Sequence, residues 1–261
     1  MKKLRKITNL FLLLIVLLIS ACKHELQSEV VEVLDLGFNS AFIIKGTENG
    51  ETILMLIDSG IPTKSVEILG TILDMGYSLG DLKYIFITHA HLDHYGSAQT
   101  IRKKTGAKII VHVDDSDAMI NGQSPIGDIA KTDSDNPLIS LFDDIITYLA
   151  GVPLQRTPPD ILVNDGDSLE QYGFDAEVVH LPGHTLGSSG ILLNNGDTLI
   201  AFTGDLVNNE RETGKPYFQD LFAESWVMVA ASAEKLKNIA PDIIHPGHGV
   251  AFTNAELQTA E

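Results

Sequence analysis

The six residues His89-Ala90-His91-Leu92-Asp93-His94 constrain this chain more than any other stretch. They follow directly on an apolar run, Lys83-Tyr84-Ile85-Phe86-Ile87-Thr88, that reads as a β-strand entering a core. Three imidazoles and a carboxylate at the mouth of such a strand are costly, because polar groups buried without partners lose several kcal/mol. A divalent metal satisfies all four, since imidazole nitrogen and carboxylate oxygen are the ligands zinc takes when cysteine is absent. Four ligands in one turn do not enclose one tetrahedral ion. Side chains two apart on an extended segment point the same way, so His89 and His91 can share an ion while Asp93 and His94 project towards a second. Two ions require more ligands, brought from distant strand ends.

The sequence offers three. His184 lies in Leu181-Pro182-Gly183-His184-Thr185-Leu186-Gly187-Ser188, after the apolar run 176–181. Asp205 closes Phe202-Thr203-Gly204-Asp205, after 198–202, and His248 lies in His245-Pro246-Gly247-His248-Gly249, after Asp242-Ile243-Ile244. A glycine precedes each of the three, which lets the backbone turn sharply and approach a site closely. His112, His180 and His245 also stand at strand ends. They read as structural histidines, with His245 the best placed of the three to orient a ligand from behind.

Taken in order, HxHxDH, PGHTxGS, TGD and PGHG resemble the metallo-β-lactamase superfamily, over roughly residues 30–252. Leu56-Ile57-Asp58-Ser59-Gly60 resembles that family's strand-end D-[TS]-G element, whose aspartate supports the metal ligands from behind. The resemblance implies an α/β (α+β) fold, a four-layer αββα sandwich. It implies one metal on His89, His91 and His184, another on Asp93, His94 and His248, and Asp205 bridging the two. The expected cofactors are two divalent ions, zinc foremost, with iron or manganese as alternatives. The implied chemistry is hydrolysis by a hydroxide held between the ions, with Asp93 both binding metal and carrying a proton to the leaving group.

Family members differ in substrate, and several residues bear on that. Acyl-homoserine lactonases place a tyrosine three positions after the bridging aspartate; Asn208 stands there, with Tyr217 in the same loop. β-Lactamases of the all-histidine subclass lack the bridging aspartate, which Asp205 would supply. Glyoxalase-type thioesterases continue into a glutathione-binding tail, whereas thirteen residues follow His248. A small ester, lactone or thioester is the expected substrate, with a phosphodiester kept open. The alternatives are a non-hydrolytic metal-holding sensor or an iron-dependent sulfur dioxygenase on the same fold.

The first residues read as a leader. Lys2, Lys3, Arg5 and Lys6 precede an unbroken apolar run at 10–19, an export signal too short for a comfortable transmembrane helix. Ile19-Ser20-Ala21-Cys22 resembles a bacterial lipobox. The expectation is a signal peptide at 1–21, an acylated Cys22 with a tether at 22–29, and one domain at 30–261, held at a membrane outside the cytoplasm. An uncleaved anchor is the alternative. Cys22 is the one cysteine, so no intrachain disulfide forms and no cysteine nucleophile is available. The whole chain carries −17, and residues 1–21 hold four basic and no acidic groups, so the part beyond them is more negative still. Such a field repels nucleic acid and points to a small-molecule substrate.

Periodicity places strands at 30–36, 41–45 and 52–58 with a turn at Glu48-Asn49-Gly50, and a helix at 64–75 with Val66, Leu69 and Leu73 inward, stopped by Gly76. Ser97 caps a helix to Thr105, and a strand spans 107–113. The second half repeats the β-rich style at 177–181, 190–193 and 198–203, with Asn194-Asn195-Gly196-Asp197 as a hairpin turn. A helix at 225–238 has Trp226, Val229, Ala233 and Leu236 inward. The acidic stretch 114–160, with a helix at 138–150, reads either as a segment covering the active site or as a helix packed on the outer layer.

Overall fold

Alternation along the strands explains the layering. In the computed structural model, which describes residues 28–37, 39–125, 154–209, 214–218 and 222–260, the chain runs through β1 (Glu29–Asp35), β2 (Ser40–Glu48), β3 (Glu51–Ile57), β4 (Leu82–Ile87), β5 (Lys108–His112) and β6 (Ile161–Val163). These six form one sheet in that order, antiparallel from β1 to β3 and parallel from β3 to β6. Then come β7 (Ala176–His180), β8 (Ser189–Asn195), β9 (Thr198–Phe202), the hairpin of β10 (Val207–Asn209) and β11 (Pro216–Phe218), β12 (Ile243–His245) and β13 (Phe252–Thr253). The second sheet has the order β13-β12-β9-β8-β7, with β9 and β12 parallel and the other pairs antiparallel. The expected leader, Cys22 and the helix at 138–150 lie outside the described residues.

Successive side chains of a strand face opposite ways. In β3, Leu54 and Leu56 therefore join one apolar cluster, with Ile68, Ile72 and Ile101 of α1 (Ser65–Asp74) and α3 (Ala98–Thr105). Ile53, Met55 and Ile57 join another, between the sheets, with Phe86, Phe174, Val178, Ile191 and Phe202. A third cluster packs Val179, Ala201 and Ile244 of the second sheet against Val229 and Leu236 of α5 (Trp226–Ile239). Helix, sheet, sheet, helix is the order of layers, a metallo-β-lactamase-type sandwich. Three short helices, α2 (Leu92–Tyr95), α4 (Ser116–Asn121) and α6 (Asn254–Leu257), sit at the strand connections.

Both expected hairpin turns are present. Glu48 pairs with Glu51 around Asn49-Gly50, and Asn195 pairs with Thr198 around Gly196-Asp197. Helix rotation differs from expectation. α1 buries Ile68 and Ile72 and leaves Val66 80% and Leu73 53% exposed. Its five apolar residues spread over nearly half the circumference, so the pattern alone does not fix which stripe faces the sheet. In α5, Val229, Ala233 and Leu236 are buried as expected, but Trp226, the first residue, sits at the edge of the buried arc and is 41% exposed. The Ser97 hydroxyl, at the N-cap position of α3, donates to Ile61 O (2.7 Å) and makes no cap hydrogen bond.

Phe86 fills the layer between the sheets and is fully buried. Phe86→Ala should cost about 3–5 kcal/mol in urea unfolding, whereas Leu73→Ala on the open face of α1 should stay within about 0.5 kcal/mol. Comparable losses from both would contradict the layer assignment.

Candidate metal centre

Five strands end at one place. β3 delivers Asp58 and β4 the loop Thr88 to His94. β7 leads to His184, β9 to Asp205 and β12 to His248. His184 Nε2 lies 2.9 Å from His91 Nδ1, and His89, His91 and His184 each present a nitrogen within 4.8 Å of the other two. Asp93, His94 and His248 form a second such group. Asp205 stands between them. Its Oδ2 is 3.5 Å from His184 Nε2 and 3.2 Å from His248 Nε2, and its Oδ1 is 3.2 Å from His94 Nε2. Asp93 Oδ2 lies 3.3 Å from His248 Nε2. All seven residues singled out by spacing are thus brought together. His89, His94 and His184 are sealed, whereas the side chains of Asp93 and His248 keep 16% and 23% of their surface, so the cluster opens on their side.

The groups behind the cluster aim the rings. Asp58 Oδ2 lies 2.7 Å from His94 Nδ1 and also accepts from the Thr88 hydroxyl (2.8 Å), while Oδ1 accepts from Thr88 N (2.8 Å). A carboxylate beside Nδ1 holds the proton there and leaves the Nε2 lone pair facing the cluster. Asp58 adopts φ +57°, a left-handed conformation costing about 1–2 kcal/mol for an L-residue. Those three contacts offset it. The Pro125 carbonyl accepts from His91 Nε2, which turns Nδ1 towards His184. Gly247 packs directly on the cluster: a Cβ there would collide with Asp205 Oδ1 and lie 2.9 Å from His94 Cε1.

Whether a metal fits is decided by what these atoms lack. His89 Nε2, His94 Nε2 and Asp205 Oδ1 are buried without a hydrogen-bond partner. Buried polar atoms are normally satisfied, and this set of nitrogens and oxygens is a divalent-metal donor set. The charges agree. Burial, with His91 beside it, pulls His184 down to about 3, so its imidazole stays neutral, and burial with His94 and His91 holds His89 well below its ordinary value. Burial opposes charge on His248 and His94, but the Asp205 and Asp93 carboxylates prevail, lifting His248 to about 10 and His94 well above its ordinary value. Protons on these two rings do for the carboxylates what a cation would do.

A family model described as "Metallo-beta-lactamase superfamily" matches residues 34–248. The chain belongs to that superfamily. An uncharacterized protein of Mycobacterium tuberculosis is 30% identical over 176 residues, 65% of this chain and 70% of that protein. A hydroxyacylglutathione hydrolase of Cereibacter sphaeroides is 25% identical over 231 residues, 88% of this chain and 69% of that enzyme. Among solved structures, the subclass B3 metallo-beta-lactamase BJP-1 of Bradyrhizobium japonicum superposes with a TM-score of 0.62 at 22% identity, covering 85% of this chain and 76% of that one. The superfamily's metal-dependent hydrolases share this fold, and this chain is a metal-dependent hydrolase of the same kind.

The other strand-end histidines are engaged elsewhere. Among the described hydrogen bonds, none joins the His245 ring to any of the seven cluster residues. The ring stacks on Phe202 (5.2 Å, 14°), meets Phe42 edge-on, and lines an apolar cleft with Val33, Pro246 and Val250. The strand period explains this, since His245 shares its register position with Phe202 and faces the inter-sheet layer. His112 and His180 gather with Asp114 at ligand-like spacing, yet their rings stack at 3.8 Å with planes 11° apart. Imidazole lone pairs lie in the ring plane, so parallel rings do not converge on one ion. Spacing gives no sign of Asp115, a buried carboxylate that bonds the loops on both sides of the cluster.

The pKa directions predict how the metal-free superfamily member responds to pH. His184, depressed to about 3, is neutral in the folded chain while its unfolded counterpart takes a proton below about 6.5, so stability falls as pH drops from there towards 3. His248, raised to about 10, keeps its proton when folded, so its contribution is full below about 6.5 and is lost as pH rises through 10. Melting of chelator-stripped protein should peak near pH 6–7, and added zinc should raise and flatten the profile. A flat profile without metal would remove this account.

Proposed function

We propose that this chain is a dinuclear zinc hydrolase of a small ester, lactone or thioester, working outside the cytoplasm on a lipid anchor. The observation that carries the reading is the convergence of His89, His91, Asp93, His94, His184, Asp205 and His248, with His89 Nε2, His94 Nε2 and Asp205 Oδ1 buried without a hydrogen-bond partner. His89, His91 and His184 would hold one ion, Asp93, His94 and His248 the other, and Asp205 both. Two such ions lower the pKa of bound water from about 15.7 to about 7 and polarise an oxygen of the substrate. The chain's own part is orientation and proton traffic. Asp93 stands at the open edge, where its carboxylate takes a proton from the reacting side and passes it to the leaving group.

The register of the β10–β11 hairpin favours ester or lactone. It sets Tyr217 directly opposite Asn208, and directly opposed residues share a face of the ladder. Asn208 Oδ1 accepts from His248 N (3.2 Å), so the hairpin that carries Tyr217 is tied to the His248 loop. A tyrosine on this hairpin is the group that the lactonase resemblance asks for, which is the ground for preferring an ester or lactone. The likeness to hydroxyacylglutathione hydrolases supports a thioester. The subclass B3 fold neighbours do not argue for a β-lactam, because a bridging Asp205 is foreign to the all-histidine subclass.

Proton release in weak buffer, with and without chelator, tests the bond class on a panel of lactones, thioesters, simple esters, β-lactams and phosphodiesters. Chelator-sensitive acid from the first three is expected. Acid only from the last two would overturn the bond class, and silence from a protein holding two metals would favour the sensor or the iron-dependent dioxygenase. Asp205→Ala should lose one metal equivalent and about 100-fold in turnover; unchanged activity would sink the bridged arrangement. For the anchor, Cys22→Ser should move the protein from the membrane to the soluble fraction, and retention at the membrane would contradict acylation at Cys22.

A further inference from the structure

The His89–His91 loop leaves the first sheet and the His184 loop leaves the second, so their separation must be fixed before three imidazoles face one ion. Asp115 touches both loops. Its side chain is buried, 2% exposed. Oδ2 accepts from the backbone N–H of Ala90, the residue between His89 and His91 (2.7 Å), and from the hydroxyl of Thr185, next to His184 (2.8 Å). Oδ1 accepts from the backbone N–H of Gly187 (2.9 Å). The contact is so close that a Cβ on Gly187 would lie 2.6 Å from the Asp115 carboxyl carbon. Asp115 is anchored outside both loops, at the N-cap position of α4, just past the end of β5.

Asp58 offers the comparison. Its carboxylate bonds Thr88 and His94 and reaches no residue of the His184 loop in any described hydrogen bond. We infer that Asp115 is the positioning residue of the His89–His91–His184 metal position, as Asp58 is of the position that includes His94. Both Asp115 oxygens are occupied by donors from the two loops, so it acts through the backbone of its neighbours and is not a ligand. Its carboxylate sets the gap between a loop of each sheet, and with it the fit of the ion they share. The inference rests on the dinuclear reading of the site.

The test is zinc titration of the full chain against a chromophoric chelator, which yields a dissociation constant for each equivalent. Asp115→Asn puts an NH2 group where an oxygen accepted, so at least one of the three donors faces another donor. It should weaken one equivalent about 10–100-fold and leave the other in place. Cobalt(II) loaded at one equivalent should then give the spectrum of His184→Ala, in which only the second position remains intact. Thr185→Val removes one of the three donors without touching the carboxylate. It should weaken the same equivalent by less, and it carries the test if Asp115→Asn does not fold. Equal weakening of both equivalents, or unchanged affinity for both, would overturn the assignment. A wild-type chain that binds no metal would overturn the dinuclear reading itself, so the two failures are told apart.

Discussion

Asp205 sits where the two sheets meet, 5% exposed, with ring nitrogens of His94 and His248 at 3.2 Å and of His184 at 3.5 Å. A carboxylate taken out of water is tolerated only when opposite charge surrounds it at close range. The neighbouring imidazoles meet that need only in part, since His184 is held neutral by burial while His94 and His248 are pushed towards the charged form. The same seam is bounded by apolar layers that exclude water. The position of each strand end, the collision that forces glycine at 247 and the left-handed turn at Asp58 all serve to bring groups close around this carboxylate.

Those demands are met by rigid parts. Each ligand follows the carboxyl end of a strand locked into an inter-sheet or helix-facing layer, and sites built on such elements hold their geometry better than sites on long loops. Two further carboxylates tie the loops from behind. Asp58 fixes the His94 ring within the first sheet, and Asp115 joins loops of both sheets. Among the described residues, the outcome is a cluster sealed on the His89 and His184 side and open at Asp93 and His248.

How much of this is legible in the sequence depends on what each signal rests on. The seven cluster residues are legible because histidine and aspartate interrupt apolar runs at strand ends, a break that local patterning records. The β-rich halves and both tight hairpins are legible for the same reason. Helix rotation is not: α1 carries two apolar stripes, and only contact with the sheet chooses Ile68 and Ile72 over Val66 and Leu73. Asp115 is hidden in Asp114-Asp115-Ser116-Asp117, where a solvated helix start is the ordinary reading; its burial depends on a loop 70 residues later in the chain. For His245, strand phase, not proximity along the chain, decides which face the ring takes. The pairing of Tyr217 with Asn208 depends on a hairpin whose connection lacks a two-residue turn signal.

Charge counting ties the two supporting carboxylates to the chemistry. Asp93 and Asp205 within the cluster, and Asp58 and Asp115 directly behind it, carry four formal negative charges among neutral or protonated imidazoles. Two divalent ions would bring four positive charges, which offset those four carboxylates before any bound hydroxide is counted, and burying less net charge is favoured. Without metal, protons on His94 and His248 supply part of that balance, so loading must release protons and affinity must rise with pH. A net charge of −17 over the chain repels anions at long range. An uncharged ester or lactone meets no such barrier. The donor set makes hydrolysis feasible, and the net acidity of the chain is the ground on which an uncharged substrate is proposed.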